Sequence, residues 1–414
     1  MTGENAPLVL IERDATSMGG HWYRAACALT RAAGVQDRAV TVLTLDGVDA
    51  TARDALVQTG ATVLTAPPVR ARGARALWRL ARLITPAGAA ARRLPGHRRF
   101  PHQLTLLARA LAEAAAVRVA HREPGAVPVV LTASEGLPGL AALLGGPHVR
   151  IVHDVITTAD RPLRLLARAT RRHADRVVTL CPTHGIRAKL AAEHPGLPVV
   201  VRPFALHEYR DRLTDDERTE ARHALGLGDQ QTVVTLVGGW WPHKDLDIIE
   251  HALRELSSAP VVLVAGSPLE ENRLARWKTM LGPRLHVRHQ AFDEIALRTI
   301  YAVTDLLLVA RRPGVVTESG LVCDALRYGV PLAVSDHDPD LTGRLTRLGI
   351  PPWLHVFPAD DPTDLARAIT AAVTARPPRP GPATPALLGL ATPDETLDYY
   401  TILLGSLITQ DGAR

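Results

Sequence analysis

Short, uninterrupted apolar runs constrain this chain more than any other feature of its sequence. Each is bounded by turn residues, and the stretches between them are long enough for a helix. In the first half they are LVLIER (Leu8–Arg13), AVTVLTL (Ala39–Leu45), PVVLTA (Pro128–Ala133), VRIVHD (Val149–Asp154), RVVTLC (Arg176–Cys181) and LPVVVRP (Leu197–Pro203). In the second half they are TVVTLVGG (Thr232–Gly239), PVVLVAG (Pro260–Gly266), LHVRH, DLLLVA (Asp305–Ala310) and VPLAVSD (Val330–Asp336). Runs of this length without polar alternation read as strands covered on both faces. Strands that alternate with helices build βαβ units around a parallel sheet. With 414 residues the chain is long enough for two such domains.

The boundary falls where the composition changes. After Pro203 the chain turns polar and charged, FALHEYRDRLTDDERTEARHALGLGD, as a linker and a first helix would be. ARPPRPGPATP (Ala375–Pro385) reads as a proline-rich linker, and an amphipathic helix follows over about Asp394–Thr409. The expected organisation is therefore one α/β domain over 1–205 and a second over 206–380, with a linker and a terminal helix over 381–414. Doubly wound parallel sheets bind ligands beyond the C-terminal ends of their strands.

Several function classes drop out. No stretch of 18 residues is apolar and free of charge, so no membrane-spanning helix is expected. MTGENAPLVLIERD lacks the basic start and cleavage site of a secretory signal. Cys27, Cys181 and Cys323 stand far apart, which gives neither a disulfide framework nor a zinc spacing and points to a reducing cytoplasm. No metal motif and no nucleophile-elbow pattern is present, and no cofactor is expected.

The net charge of +6 is uneven. Between Asp54 and Glu113 there is no acid, while Arg70, Arg72, Arg75, Arg79, Arg82, Arg92, Arg93, Arg98, Arg99 and Arg109 all fall there. A solvated helical face accounts for such a block, and so does a surface for anionic lipid or an acidic acceptor. Nucleic acid is disfavoured because aromatic residues are not interleaved with the arginines.

Lysine is rare: of 48 basic residues only Lys189, Lys244 and Lys278 are lysines. Lys244 closes VGGWWPHKD, which follows a strand and opens a helix. Gly238 and Gly239 permit close backbone approach, and a helix start already favours an anion. A flexible ammonium there suits a diphosphate; a plain surface lysine is the alternative. In RRPGVVTESGLVCDALRYGVPLAVSD (Arg311–Asp336) a helix begins near Gly320. The amides of Gly320, Leu321 and Val322 can bind phosphate, and Asp324, one turn on, suits vicinal hydroxyls. Glu318 and Ser319 can equally be a helix-capping cluster.

These two stretches resemble the donor-site motifs of GT-B glycosyltransferases, specifically the large retaining family 4, "VGRL-x-x-EKG" and "EGFGL-x-x-x-EAMA-x-GVPVVASD". SMGGHW (Ser17–Trp22) is similar to the family's N-terminal Gly-Gly loop, RIVHD (Arg150–Asp154) to its "HD" strand end, and FPADDPTDLARAI (Phe357–Ile369) to a later core element. The resemblance implies two Rossmann-like domains facing a cleft, with the last helix crossing back to the first domain. It implies sugar transfer from a nucleotide-diphosphate sugar, UDP-linked by preference and GDP-linked otherwise, with retention and without a metal. The acceptor would be a small molecule, a lipid-linked species or a polysaccharide. Lys244, His153 and Glu318 take catalytic roles, and Asp324 takes the ribose. Gly19, Gly20, His21 and Asp154 lie on the acceptor side. As lone residues, His153 and His21 read equally as structural hydrogen bonders.

The chain departs from the family at two points. Gly239 stands where arginine is usual, leaving Arg311 and Arg312 as the candidates to supply that charge. Glu318 and Asp324 are six residues apart instead of eight, and the second acid is Asp. An epimerase or phosphorylase on the same fold, and a catalytically degenerate nucleotide-binding subunit, are the rival readings.

Overall fold

The computed structural model describes residues 6–12, 21–45, 47–65, 73–91, 100–155, 161–228, 230–256, 260–347 and 349–412. The chain forms two compact units, Met1–Leu206 with Thr392–Arg414, and His207–Ala391.

The first unit is built on seven strands: β1 (Leu8–Glu12), β2 (Val40–Thr44), β3 (Thr62–Thr65), β4 (Val127–Val130), β5 (His148–Ile151), β6 (Val177–Cys181) and β7 (Val199–Val201). They pair in parallel in the order β3-β2-β1-β4-β5-β6-β7. One face is covered by the helix His21–Val35 and by the chain's last helix, Pro393–Gly412. Leu397, Tyr400 and Leu404 of that last helix are buried with Leu8, Val129 and Ile151 of the sheet. The C-terminal helix thus returns to the N-terminal fold. On the other face Leu111, Ala116 and Val117 of the helix Phe100–Ala120 pack with Val9, Ile11 and Val130.

The second unit has six strands: β8 (Val233–Val237), β9 (Val261–Ala265), β10 (Leu285–Arg288), β11 (Leu306–Val309), β12 (Leu332–Ser335) and β13 (Leu354–Phe357). Their parallel order is β10-β9-β8-β11-β12-β13. Aspartates start several of its helices. Asp245, Asp293 and Asp361 each accept an amide from the first turn that follows, which satisfies donors the helix itself cannot.

The apolar runs appear as strands, and two further strands, β3 and β13, lie at sheet edges. An edge strand is covered on one side only, so β3 buries Val63 alone of its four residues and leaves no apolar run to find. The polar stretch after residue 203 is part of the second unit's framework. Thr214 and Glu217 form a capping box for the helix Asp215–Ala224, whose Arg218 and Arg222 are buried. The proline-rich segment is anchored to the same unit. The Arg212 guanidinium donates to the Pro380 carbonyl, Arg344 donates to Leu388 O at 3.1 Å, and Leu388 is buried.

Candidate functional site

Each sheet reverses its strand order once, between β1 and β4 in the first unit and between β8 and β11 in the second. The helices to either side of such a point run off in opposite directions, which opens a crevice at the strand C-terminal ends.

In the second unit this point carries Lys244 and Arg311. β8 ends at Val237, and Gly238 turns the chain with φ +81°, a conformation natural to glycine. The loop brings Lys244 back across the end of its own strand. Its Nζ donates to Val237 O at 2.6 Å and to Gly238 O at 3.1 Å. Lys244 pairs with Arg311 as an isolated antiparallel bridge, and the Asp245 amide donates to Ala310 O at 3.1 Å. The guanidinium of Arg311 donates to Thr317 O at 2.9 Å and more loosely to Glu318 O at 3.4 Å, tying down the loop to the next helix.

Arg311 is buried and Lys244 half-buried, and neither forms an ion pair with an acid among the described residues. Burial, with Arg311 adding repulsion, lowers the Lys244 ammonium to about 8. Burial likewise lowers Arg311 to about 10, against weaker support from Cys323, Asp338 and Glu318. The field extends to neighbouring imidazoles. Burial, Arg311 and Lys244 push His243 to about 4, and burial and Arg311 do the same to His337. A partly buried positive pair without an anion is costly and draws one in.

The Gly239 position has a steric reason. A Cβ there would lie 2.5 Å from Ser267 O and 2.8 Å from Pro268 Cδ, so the loop after β9 occupies the space of any side chain. Arg311 is the buried cation beside Lys244; Arg312 is exposed, and its amide donates to His243 O at 3.0 Å.

The helix Gly320–Tyr328 starts beside this pair. Leu321, from its first turn, lines a small cavity of about 10 Å³ together with Lys244, Arg311 and Trp240. Ser319 occupies the N-cap, but its side chain caps nothing and its buried Oγ has no hydrogen-bond partner among the described residues. The amides of Gly320, Leu321 and Val322 belong to the first turn, whose donors lie ahead of the intrahelical ladder. Glu318 is half-buried just before it. Asp324 is differently placed from a bare carboxylate. Its Oδ2 accepts from Tyr301 Oη at 3.1 Å, and its Oδ1 from Arg327 at 3.3 Å. Arg327 in turn binds Asp211 at 3.0 Å. A ribose hydroxyl would have to take the place of one of these partners.

In the first unit the reversal point carries Glu12, at the end of β1. This buried carboxylate accepts from Thr132 Oγ at 2.7 Å, just past β4. Sequence reading missed it, because a strand-terminal Glu in LVLIER looks like a boundary. Gly19 and Gly20 lie outside the described residues. His21 opens the helix His21–Val35, and its side chain also lies outside them. His153 follows β5; its Nε2 donates to Leu131 O at 2.8 Å and its ring meets Phe204 edge-on at 4.5 Å. Asp154 Oδ1 accepts from the Val155 amide at 2.7 Å. Among the described residues no group of three His, Cys, Asp or Glu side chains could hold a metal ion.

Of the basic block, Arg75, Arg79 and Arg82 lie on the helix Ala74–Ala91 and Arg109 on Phe100–Ala120. Arg70, Arg72, Arg92, Arg93, Arg98 and Arg99 lie outside the described residues. Leu80 and Leu83 on the first of these helices are exposed, Leu83 by 73%. Among the described residues no helix is long and apolar enough to cross a membrane.

No family model matches this chain, and no curated protein does. Solved structures do. Alr3699/HepE from Anabaena, in complex with UDP and glucose, is 13% identical, with 98% of this chain and 99% of that one covered and a TM-score of 0.58. A glycosyltransferase from Rickettsia africae ESF-5 is 10% identical over 98% and 97% of the two chains, with a TM-score of 0.59. A UDP-GlcNAc 2-epimerase from Neisseria meningitidis, bound to UDP-GlcNAc, is 11% identical over 97% and 100%, with a TM-score of 0.52. At these identities the likeness is one of fold, and the fold is GT-B: two Rossmann-like parallel-sheet domains with the C-terminal helix on the first.

Proposed function

We propose that the protein is a glycosyltransferase of the retaining family 4 type, which moves a sugar from a nucleotide-diphosphate sugar to an acceptor hydroxyl. The observation that carries this reading is the pair of cations, half-buried Lys244 and buried Arg311, which form no ion pair with an acid among the described residues, at the strand-order reversal of a GT-B donor-type sheet. In the reaction the C1–O bond to the diphosphate breaks and a bond from C1 to the acceptor oxygen forms. The hydroxyl proton leaves with the diphosphate. Negative charge grows on the departing diphosphate, where Lys244, Arg311 and the amides of Gly320–Val322 stand ready to stabilise it. Glu318 orients the sugar, and Asp324 exchanges a present partner for the ribose. UDP is the favoured nucleotide, since structures of the same fold are described with UDP or a UDP-sugar bound.

An epimerase acting on a UDP-sugar is the second reading, supported by the 2-epimerase of like fold. A panel of UDP- and GDP-hexoses with mass detection separates the two. Release of the nucleotide diphosphate with a glycosylated or hydrolysed sugar supports the transferase. An isomerised donor with no release supports the epimerase, and inert donors of every kind would defeat both.

The reading favours a cytoplasmic protein working against an anionic surface. Arg79 and Arg82 flank exposed Leu80 and Leu83 on the helix Ala74–Ala91, a pattern that seats on acidic headgroups. Salt-sensitive co-sedimentation with phosphatidylglycerol vesicles, weakened in Leu83→Ser, is the expected result. Equal binding to neutral vesicles would remove the surface role.

A further inference from the structure

One buried atom near Arg311 has the wrong polarity for a phosphate. His337 follows β12 by two residues and is only 3% exposed. Its Nδ1 lies 2.9 Å from Ser335 O and 2.9 Å from Ser335 Oγ. A carbonyl oxygen only accepts, so Nδ1 carries the proton and Nε2 carries the lone pair. The serine fits this assignment: its Oγ donates to Arg311 O at 3.2 Å and accepts the Arg311 amide at 3.0 Å. The ring is therefore locked to the backbone of Arg311, and its own carbonyl accepts the Gly314 amide at 3.2 Å.

Nε2 has no hydrogen-bond partner among the described residues, and it is buried. Such an atom is costly when left unpaired, so its persistence asks for a partner. Protonation does not relieve it, because burial and Arg311 hold the imidazole neutral down to about pH 4. A diphosphate cannot serve either, because at neutral pH it offers acceptors only. What fits is a hydrogen-bond donor, and the hydroxyls of the same ligand are the donors nearest in chemistry to its diphosphate.

We infer that His337 Nε2 accepts a hydrogen bond from a ring hydroxyl of the bound nucleotide sugar, which makes His337 a residue that reads the carbohydrate while Lys244 and Arg311 hold the charge. The inference rests on the donor-site reading above. The hydroxyl belongs either to the transferred sugar or to the ribose, and the chemistry at Nε2 is the same for both. Ser319 Oγ, also buried and without a hydrogen-bond partner among the described residues, lies at the end of the loop that Arg311 ties down. A hydroxyl can donate or accept, so it makes no such distinction.

Two substitutions in the full chain isolate the atom. His337→Asn keeps an N–H near Nδ1 and loses the distal acceptor; His337→Gln extends an amide oxygen to the Nε2 position. Calorimetry is run with inorganic pyrophosphate, UDP, 2′-deoxy-UDP and the panel of UDP- and GDP-hexoses, with melting temperatures as the check on folding. His337→Asn is expected to weaken the best-bound nucleotide sugar roughly tenfold, with pyrophosphate changed less than threefold, and His337→Gln to recover most of the loss. A loss confined to nucleotide sugars assigns the hydroxyl to the sugar. A loss seen with UDP but not with 2′-deoxy-UDP assigns it to the ribose. Wild-type affinity for every carbohydrate ligand in His337→Asn, or an equal loss for pyrophosphate, overturns the role of His337 while leaving the donor site standing. If the wild type binds no nucleotide at all, both readings fall.

Discussion

The two ends of the six-stranded sheet treat buried positive charge in opposite ways. At the N-terminal end Asp305, just before β11, gathers Arg222 at 3.1 Å, Arg218 at 3.7 Å and the Val233 amide at 2.9 Å. At the C-terminal end the partners of Lys244 and Arg311 among the described residues are uncharged, carbonyl oxygens and the Thr317 hydroxyl. Charges that are paired when the chain folds hold the fold together. Charges left with carbonyls keep most of their electrostatic need for something that arrives later. The first unit follows the first pattern at its own centre, where Glu113 binds His148 and Arg150, each at 2.9 Å. A buried arginine alone is therefore no mark of function in this molecule; on the reading proposed above, the mark is a cation pair at the strand C-terminal ends that forms no ion pair with an acid among the described residues.

The sharpest way to break the comparison is to unpair the paired end. Asp305→Ala leaves two buried guanidinium groups without their acid, and a loss of about 3–5 kcal/mol in denaturant unfolding is expected. The folded fraction should bind UDP within about threefold of wild type, by the independence of distant sites. A variant as stable as wild type would show that Asp305 does not bear this load. A folded variant that cannot bind UDP would show that the two ends are not separate.

The opposite substitution should give the opposite profile. Lys244→Ala removes a charge that the fold holds at a cost, so its melting temperature should stay within a few degrees of wild type. Turnover of the nucleotide sugar should fall roughly 10²–10³-fold, the effect of deleting one preorganised electrostatic contact to a leaving group. Turnover near wild type would take Lys244 out of the reaction, and a collapse in melting temperature would place it among the structural cations.

Much of this contrast was legible in the residues, and the unread part has physical causes. Lys244 stood out because lysine is rare here and because a Gly-Gly loop between strand and helix limits what a cation there can do. Gly239 was visible as a departure, but its cause is the Ser267–Pro268 loop, which comes beside it only through the β8–β9 pairing. Asp324 had the right offset from its helix start, whereas its partner Tyr301 comes from another helix, and Arg327, one turn on in its own helix, is shared with Asp211 from a third element. Arg218 and Arg222 looked like a solvated linker helix, because a charged stretch does not reveal a buried Asp305 waiting for it. Glu12 and His337 sit at strand ends, where no periodicity marks a residue. Only the tertiary structure gives one its threonine and leaves the other's nitrogen bare.

The finest test of the comparison is a proton count. Lys244 is lowered from 10.5 to about 8, chiefly by burial and then by Arg311. Between those values the unfolded chain holds a proton that the ligand-free fold has lost, so stability should rise with pH across that window. Below about pH 8 the lysine is charged in both states, and the cost of burying it is fully present. A bound diphosphate reverses the balance by favouring the charged form. Above pH 8, UDP binding should therefore draw in a proton, approaching one per site, and affinity should fall by up to tenfold per pH unit. Calorimetry at pH 9 in buffers of different ionisation enthalpy reads that uptake directly. It should vanish in Lys244→Ala and persist in His337→Gln. Binding at pH 9 with no proton uptake in the wild type would mean that the ammonium already has an anionic partner, and the contrast between the two ends of the sheet would dissolve.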